Sequence, residues 1–210
     1  MGSYTLKNTY EFKHKEMSVS IITWDDEWKE VKEAALLTVH KKSVSTEITS
    51  EWKEAMIVGR HSPIREFRIK LVIENIPRWI ADQLVRHNVG VNNFMGTMRP
   101  DRGNIPRNEQ RMTDTTIFKQ SYNIDSFLTM CSARLCVGSV SKETRLLVEA
   151  IKNKLYSIEP EIARYCAPPC VLYGACKEAP LRKMMGIPVC MHYLNFELDA
   201  DSFMMTLDSL

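Results

Sequence analysis

The stretch EFRIKLVI, residues 66–73, constrains this chain more tightly than any other. Phe67, Ile69, Leu71 and Ile73 alternate with Arg68 and Lys70. Successive side chains of a strand point to opposite faces, so the pattern specifies one buried face and one wetted face. A sheet wetted on one side is characteristically antiparallel, because parallel sheets are covered on both. Glu74-Asn75 is expected to turn the chain, and Pro77 suits the first turn of a helix. Ile76, Trp79, Ile80, Leu84 and His87 then keep helical spacing to about residue 88.

Around this unit the same logic places further elements. SVSIITW (18–24) reads as the first strand. Asp25 and Asp26 mark a helix start, with Trp28, Val31, Ala35 and Val39 as its stripe to about residue 40. A second helix spans 49–59, capped by Thr49 or Ser50 and ended by Gly59. Helical patterns return at 123–136 and 141–157. In the latter Ser141 is the N-cap, and Leu146, Leu147, Ala150, Ile151 and Leu155 form the stripe. Residues 88–120 read as an irregular loop, broken by Gly90, Gly96, Pro100, Gly103 and Pro106, and so long a loop is often functional. Residues 1–17 read as an N-terminal extension and 160–210 as a C-terminal tail, with a last strand in VCMHYLNFEL. The expectation is one α+β domain over 1–210, an antiparallel sheet flanked by helices.

No apolar run approaches the roughly 20 residues of a membrane span, and no signal-peptide core follows the start. A net charge of +2 gives no general basic coat, so nucleic acid is an unlikely partner and any anion must be met by a local cluster. The six cysteines read as reduced thiols of a cytoplasmic protein. Cys166, Cys170 and Cys176 could also hold zinc with Cys190 or His192, but the spacing departs from paired C-x2-C and separate thiols are the default.

The local cluster lies in QLVRHNVGVNNFMGTMRPDR, residues 83–102. Gln83, Arg86 and His87 are three and four apart, which brings them together on the last turn of a helix. Arg99 and Arg102 return from the loop with few acids nearby. A guanidinium presents a planar fork that suits phosphate, and Gln can donate to and accept from a base edge. The plainer reading is a basic helix end that complements the helix dipole, with solvated loop arginines. Arg99, Arg102, Arg107 and Arg111 could also follow a nucleic-acid backbone, though aromatic residues are scarce among them.

In order along the chain, these pieces resemble the flavin-dependent thymidylate synthases, the ThyX family, in a short phage-type form. The family signature runs Arg-His-Arg, two residues, Ser, one residue, Asn-Glu, one residue, Ser, one residue, Arg-Tyr, with a Gln three residues ahead. Gln83, Arg86, His87 and Asn93 match it, and Thr97 with Arg99 resembles the closing Ser-x-Arg after a one-residue insertion. RHSPIREFRIKLVIENIP is similar to the upstream His-x-Ser/Thr-Pro segment and its strand. NIDSFLTMCSARLC resembles the downstream helix, with Asn123 and Arg134 matching. Asn88, Val91 and Phe94 depart from the signature's second Arg, first Ser and Glu; Arg65 stands in place of Glu and Asp125 in place of Arg.

The resemblance implies an enzyme that binds FAD, takes a one-carbon unit from methylenetetrahydrofolate to C5 of dUMP, and uses NADPH. It implies a homotetramer with shared sites, and a host-cytoplasm setting if the source is a phage. It assigns the nucleotide to Gln83, Arg86 and Arg99, with Arg99 first for the phosphate. Arg134 and Thr97 would be catalytic, Arg134 orienting the pyrimidine. Ser62, His87, Asn88, Asn93, Asn123 and Thr129 would face the flavin. Another pyrimidine nucleotide, hydroxymethyl transfer, or a non-catalytic nucleotide- or nucleic-acid-binding paralogue remain open alternatives at this point.

Overall fold

A computed structural model of the chain describes residues 3–12, 15–23, 26–42, 47–97, 99, 101–102, 106–174, 176–187 and 190, the side chains from residue 17 onward with Arg107 excepted. The chain divides into two compact units, residues 1–127 and 128–210.

The first unit is built on a five-stranded antiparallel sheet. Its strands are β1 (Ser3–Phe12), β2 (Lys15–Ile22), β3 (Arg68–Pro77), β4 (Val91–Met95) and β5 (Thr115–Asn123), in the order β1-β2-β3-β5-β4. The alternation seen at 66–73 sets the faces. Ile69, Leu71 and Ile73 are fully buried and stand opposite Tyr122, Gln120 and Phe118 of β5. On the other side Ile73 and Leu71 pair with Val19 and Ile21 of β2. Each such apolar side chain contributes about 1.5–3 kcal/mol on burial. Gln120 is the polar member of that face. The opposite face carries Arg68, exposed, and Lys70, half-buried.

Three expectations are corrected here. Residues 1–17 are not an extension: β1 and the start of β2 lie there, and SVSIITW falls within and beyond the second strand. Residues 88–120 are not irregular throughout, since β4 and β5 fall within or begin in them; partners elsewhere in the chain form these strands, and local punctuation by Gly and Pro did not reveal them. Glu74-Asn75 does not end β3. Asn75 takes a φ of 56°, the register shifts between Ile73 and Ile76, and the strand continues to Pro77. Asn tolerates the left-handed region, so it makes a bulge where a turn was expected.

Helices α1 (Glu27–Thr38) and α2 (Ser50–Val58) and a 3-10 turn at Ser62–Arg65 precede β3. The Thr49 hydroxyl caps α2 by accepting the Trp52 N–H at 3.2 Å. Trp28 lies on Phe67, ring centroids 5.0 Å apart, while Val39 falls beyond the end of α1 and is exposed. Glu27 accepts the Arg68 N–H at 2.9 Å. Burial pushes its carboxyl above the ordinary 4.5, against that hydrogen bond and the Arg68 charge. Helix α3 (Arg78–Val85) lies against β3 and β5 and buries Ile80, Ala81 and Leu84.

Helix α4 (Ile124–Arg134) follows β5 directly. The second unit contains α5 (Lys142–Tyr156), α6 (Pro160–Arg164), α7 (Pro169–Tyr173) and α8 (Ala179–Met184). Ser141 caps α5 through the Thr144 N–H at 3.3 Å, and Leu147, Val148, Ile151 and Leu155 are buried on the stripe. Cys131 and Cys166 are both buried, and burial, then the Cys166 hydrogen bond, push the Cys131 thiol well above the ordinary range. That holds Cys131 neutral and inert. The strand expected in VCMHYLNFEL lies outside the described residues apart from Cys190. No helix among the described residues is long and apolar enough to cross a membrane.

Candidate functional site

Helix α3 delivers the first group of candidate residues. Its opening N–H groups need partners outside the helix. Arg78 N–H donates to Asp114 O at 3.1 Å and Trp79 N–H to Met112 O at 3.2 Å, which ties the helix start to the segment entering β5. At the other end Gln83 is half-buried and Arg86, the C-cap residue, is exposed. Neither side chain has a hydrogen-bond or ion-pair partner among the described residues. One amide and one guanidinium thus lie at the end of α3 without a partner among the described residues, while His87, expected on the same last turn, falls beyond the helix.

The chain next passes His87, half-buried, and Asn88 and Val89, both exposed, to Gly90. Gly90 takes a φ of 71°, and a Cβ there would stand 2.9 Å from Asn123 Nδ2. Glycine is required at this point for both conformation and space. Asn93 then binds the turn together. Its Nδ2 donates to His87 O at 3.1 Å, and its Oδ1 accepts from Gln120 Nε2 at 2.7 Å. Gln120 Nε2 also reaches Leu84 O at 3.5 Å, so a fully buried amide on β5 holds the end of α3 against β4. Gln120 Oε1 is buried with no partner among the described residues.

Other candidates are occupied by internal bonds. Asn123 Oδ1 accepts the Ser126 N–H at 2.8 Å, while Ser126 Oγ accepts the Asn123 N–H at 3.1 Å. This reciprocal cap starts α4. Ser126 Oγ also donates to Gly90 O at 3.1 Å and so fixes the turn before β4. The Thr97 hydroxyl accepts the Arg99 N–H at 3.1 Å. Arg99 is exposed and forms a two-pronged pair with Asp101, 3.0 Å from Nε and 2.8 Å from a terminal nitrogen. The arginines of this stretch are therefore not free of acids, because Asp101 sits within reach two residues on. Ser62 is exposed at the start of its 3-10 turn. Thr129, exposed, and Arg134, half-buried, lie on α4 in the second unit.

Two departures from the family pattern prove to be neighbours. Asp125 Oδ1 accepts from Arg60 at 2.9 Å, and Asp125 Oδ2 lies 3.5 Å from Arg65. One carboxylate thus stands between two guanidinium groups, a contact that a reading of each residue alone does not reveal.

Residues that the sequence reading passed over also belong to this region. Gln120 sits between Phe118 and Tyr122 in a two-residue alternation, and that periodicity was the signal for its inward direction. Arg78 lies three residues before Ala81, on the buried face of α3, and is itself buried at 8% exposure. Its guanidinium reaches Gly96 O and Thr97 O, each at 3.4 Å. Phe94, where the resemblance calls for Glu, is exposed on edge strand β4.

Unspent Gln83 and Arg86, exposed Asn88 and a close-approach glycine form a donor-rich surface that suits an anionic, carbonyl-bearing ligand such as a nucleotide or a flavin. Among the described residues no group of three or more His, Cys, Asp and Glu gathers as a metal site, and His192 lies outside them.

No protein-family model matches the chain, and no curated protein matches it significantly. Solved structures do. The chain is similar to thymidylate synthase X (ThyX) of Helicobacter pylori, crystallised with FAD and dUMP, at 13% identity and a TM-score of 0.56, over 70% of this chain and 97% of that one. It is also similar to the UMP/dUMP methylase PolB of Streptomyces cacaoi, bound with 5-Br dUMP, at 10% identity and a TM-score of 0.54, over 70% and 94%. The fold is thus α+β, as the residue pattern led one to expect, and ThyX-like, as the resemblance implied.

Proposed function

We propose that this protein is a flavin-dependent enzyme that transfers a one-carbon unit to C5 of a pyrimidine deoxynucleotide, with dUMP as the substrate. The observation that carries the reading is the end of α3, where Gln83 and Arg86 stand with unspent donors on a helix locked in place by Asn93 and Gln120. The bonds fix the helix end that carries these side chains, so the backbone need not be ordered on binding and the cost falls on the two side chains alone. The likeness to a thymidylate synthase X crystallised with FAD and dUMP and to a UMP/dUMP methylase supports the same ligand classes here.

In this reading FAD, when bound, supplies the redox chemistry, with NADPH as reductant and methylenetetrahydrofolate as the one-carbon donor. Arg86 and Gln83 hold and orient the nucleotide. The His87–Gly90 turn lets a planar ring approach the backbone, with His87 and Asn88 as its hydrogen-bonding side chains. Asn93 and Asn123 act one layer behind, since their amides already fix His87 O and the start of α4. Arg134 keeps the catalytic role that the resemblance gives it, a guanidinium that polarises a ring carbonyl, in a site shared between subunits. Ser62, Thr97 and Thr129 are hydroxyl donors, and the assembly is a homotetramer.

The test begins with an absorbance spectrum of the purified protein before and after denaturation. A yellow protein that releases FAD is expected. Incubation with dUMP, methylenetetrahydrofolate and NADPH should then yield a product heavier by CH2, a methyl in place of the C5 hydrogen; a hydroxymethyl product would move the reaction assignment, and turnover of deoxycytidylate the substrate assignment. A protein that is colourless and takes up no added FAD would refute the proposal.

A further inference from the structure

Arg78 is a charge without an adequate counterpart. The residue is nine-tenths buried, at 8% exposure, and among the described residues its guanidinium reaches only two main-chain carbonyls, Gly96 O and Thr97 O, both at 3.4 Å. N–H···O bonds are normally 2.7–3.2 Å, so these are long ones, and carbonyl dipoles do not neutralise a full charge. No carboxylate pairs with Arg78 among the described residues. Taking a cation out of water costs several kcal/mol unless an anion or a complete set of strong hydrogen bonds replaces the solvent. Two carbonyls leave the Nε–H and one N–H on each terminal nitrogen unspent.

The place of this charge matters as much as its burial. The carbonyls that Arg78 holds belong to the segment leaving β4, which continues into Thr97 and Arg99. Arg99 is the residue that the resemblance assigns to the phosphate, yet it is exposed, at 63%, and its fork is already closed on Asp101. Arg99 would have to give up a bidentate partner to bind a phosphate. Arg78 gives up only two weak bonds.

We propose that Arg78, and not Arg99, is the anion anchor of this site, with its guanidinium taking the phosphate of the bound nucleotide. The proposal rests on the nucleotide reading given above for the ligand's identity, but the anion requirement follows from Arg78 itself. The phosphate supplies the missing negative charge, and the Gly96–Thr97 carbonyls keep the guanidinium turned toward the segment that covers it. In the unliganded protein the buried charge is a standing cost, and ligand binding removes it.

The experiment is equilibrium binding of dUMP and of deoxyuridine, which lacks the phosphate, to the full-length protein and to Arg78→Met, Arg78→Lys and Arg99→Met. The wild type should prefer dUMP strongly. Arg78→Met should weaken dUMP about a hundredfold while leaving deoxyuridine unchanged, because a buried charge pair with phosphate is lost. Arg78→Lys should recover part of the preference, and Arg99→Met should cost less than about tenfold. The unliganded melting temperature of Arg78→Met should equal or exceed the wild type's, since an uncompensated charge has gone. Equal loss of dUMP and deoxyuridine in Arg78→Met, or a lower unliganded melting temperature, would make Arg78 a structural pin and overturn the proposal. So would transfer of the phosphate preference to Arg99. If the wild type binds neither compound, inorganic pyrophosphate separates the two ideas. Stabilisation of the wild type but not of Arg78→Met keeps the anchor and rejects the nucleotide, and stabilisation of neither rejects both.

Discussion

Replacing Gln120 with Met tests how the site is held together. The side chain is fully buried on the inner face of β5. Its Nε2 makes one good hydrogen bond, 2.7 Å to Asn93 Oδ1, and one marginal one, 3.5 Å to Leu84 O. Losing these costs about 1–1.5 kcal/mol, because Asn93 is only half-buried and water can reach its freed oxygen. Against this, Gln120 Oε1 is buried without a partner among the described residues, a standing penalty of about 1–3 kcal/mol. Methionine has nearly the same length and adds about 1 kcal/mol of apolar transfer. The balance favours the variant by about 0.5–3 kcal/mol, or a melting temperature higher by about 2–4 °C per kcal/mol for a chain of this size. Urea denaturation and calorimetry of the full chain read this directly, and the urea slope should not change. Because Asn93 then holds His87 O without support, affinity for the ligand should fall while stability rises. A loss of more than about 2 kcal/mol would show that Gln120 is a satisfied amide in a complete network, and the reasoning would fail.

Arg86→Ala and Gln83→Ala should each weaken nucleotide or flavin uptake about tenfold or more in titrations, and leave the unfolding free energy within about 0.5 kcal/mol, since neither side chain has a partner to lose among the described residues. Asp125→Arg should cost about 1–2 kcal/mol by gathering like charges around Arg60 and Arg65, and adding Arg65→Glu should return at least half of it in a double-mutant cycle. Glu27 predicts a pH effect. Its folded carboxyl is raised above 4.5, so the folded state binds the proton more tightly than the unfolded state does, and stability falls as pH rises from 4.5 through the raised value. Glu27→Gln keeps an acceptor for the Arg68 N–H, and urea melts from mildly acid to neutral pH should show that fall flattened.

What the sequence determined by itself was local, and not all of that, since Asn75 makes a bulge where a turn was read. The two-residue alternation of β3 and the stripe of α3 dictate which faces are buried, and the caps Thr49 and Ser141 act within one turn of themselves. The end of α3 was legible for the same reason, since residues three and four apart on a helix are neighbours in any fold. Tertiary structure decided the rest. Strands β4 and β5 were hidden in a stretch punctuated by Gly and Pro, because a strand is stabilised by a partner that its own residues do not name. Arg65 and Asp125 looked like two separate departures until the fold set them side by side. Arg78 carried no signal in the sequence, yet it is a buried cation whose guanidinium lies against the segment leaving β4, while Arg99, the prominent candidate, pairs with Asp101 at the surface. The sequence states which charges exist, but what each charge costs and whom it can bind depends on the solvent it has lost, and only the folded chain sets that.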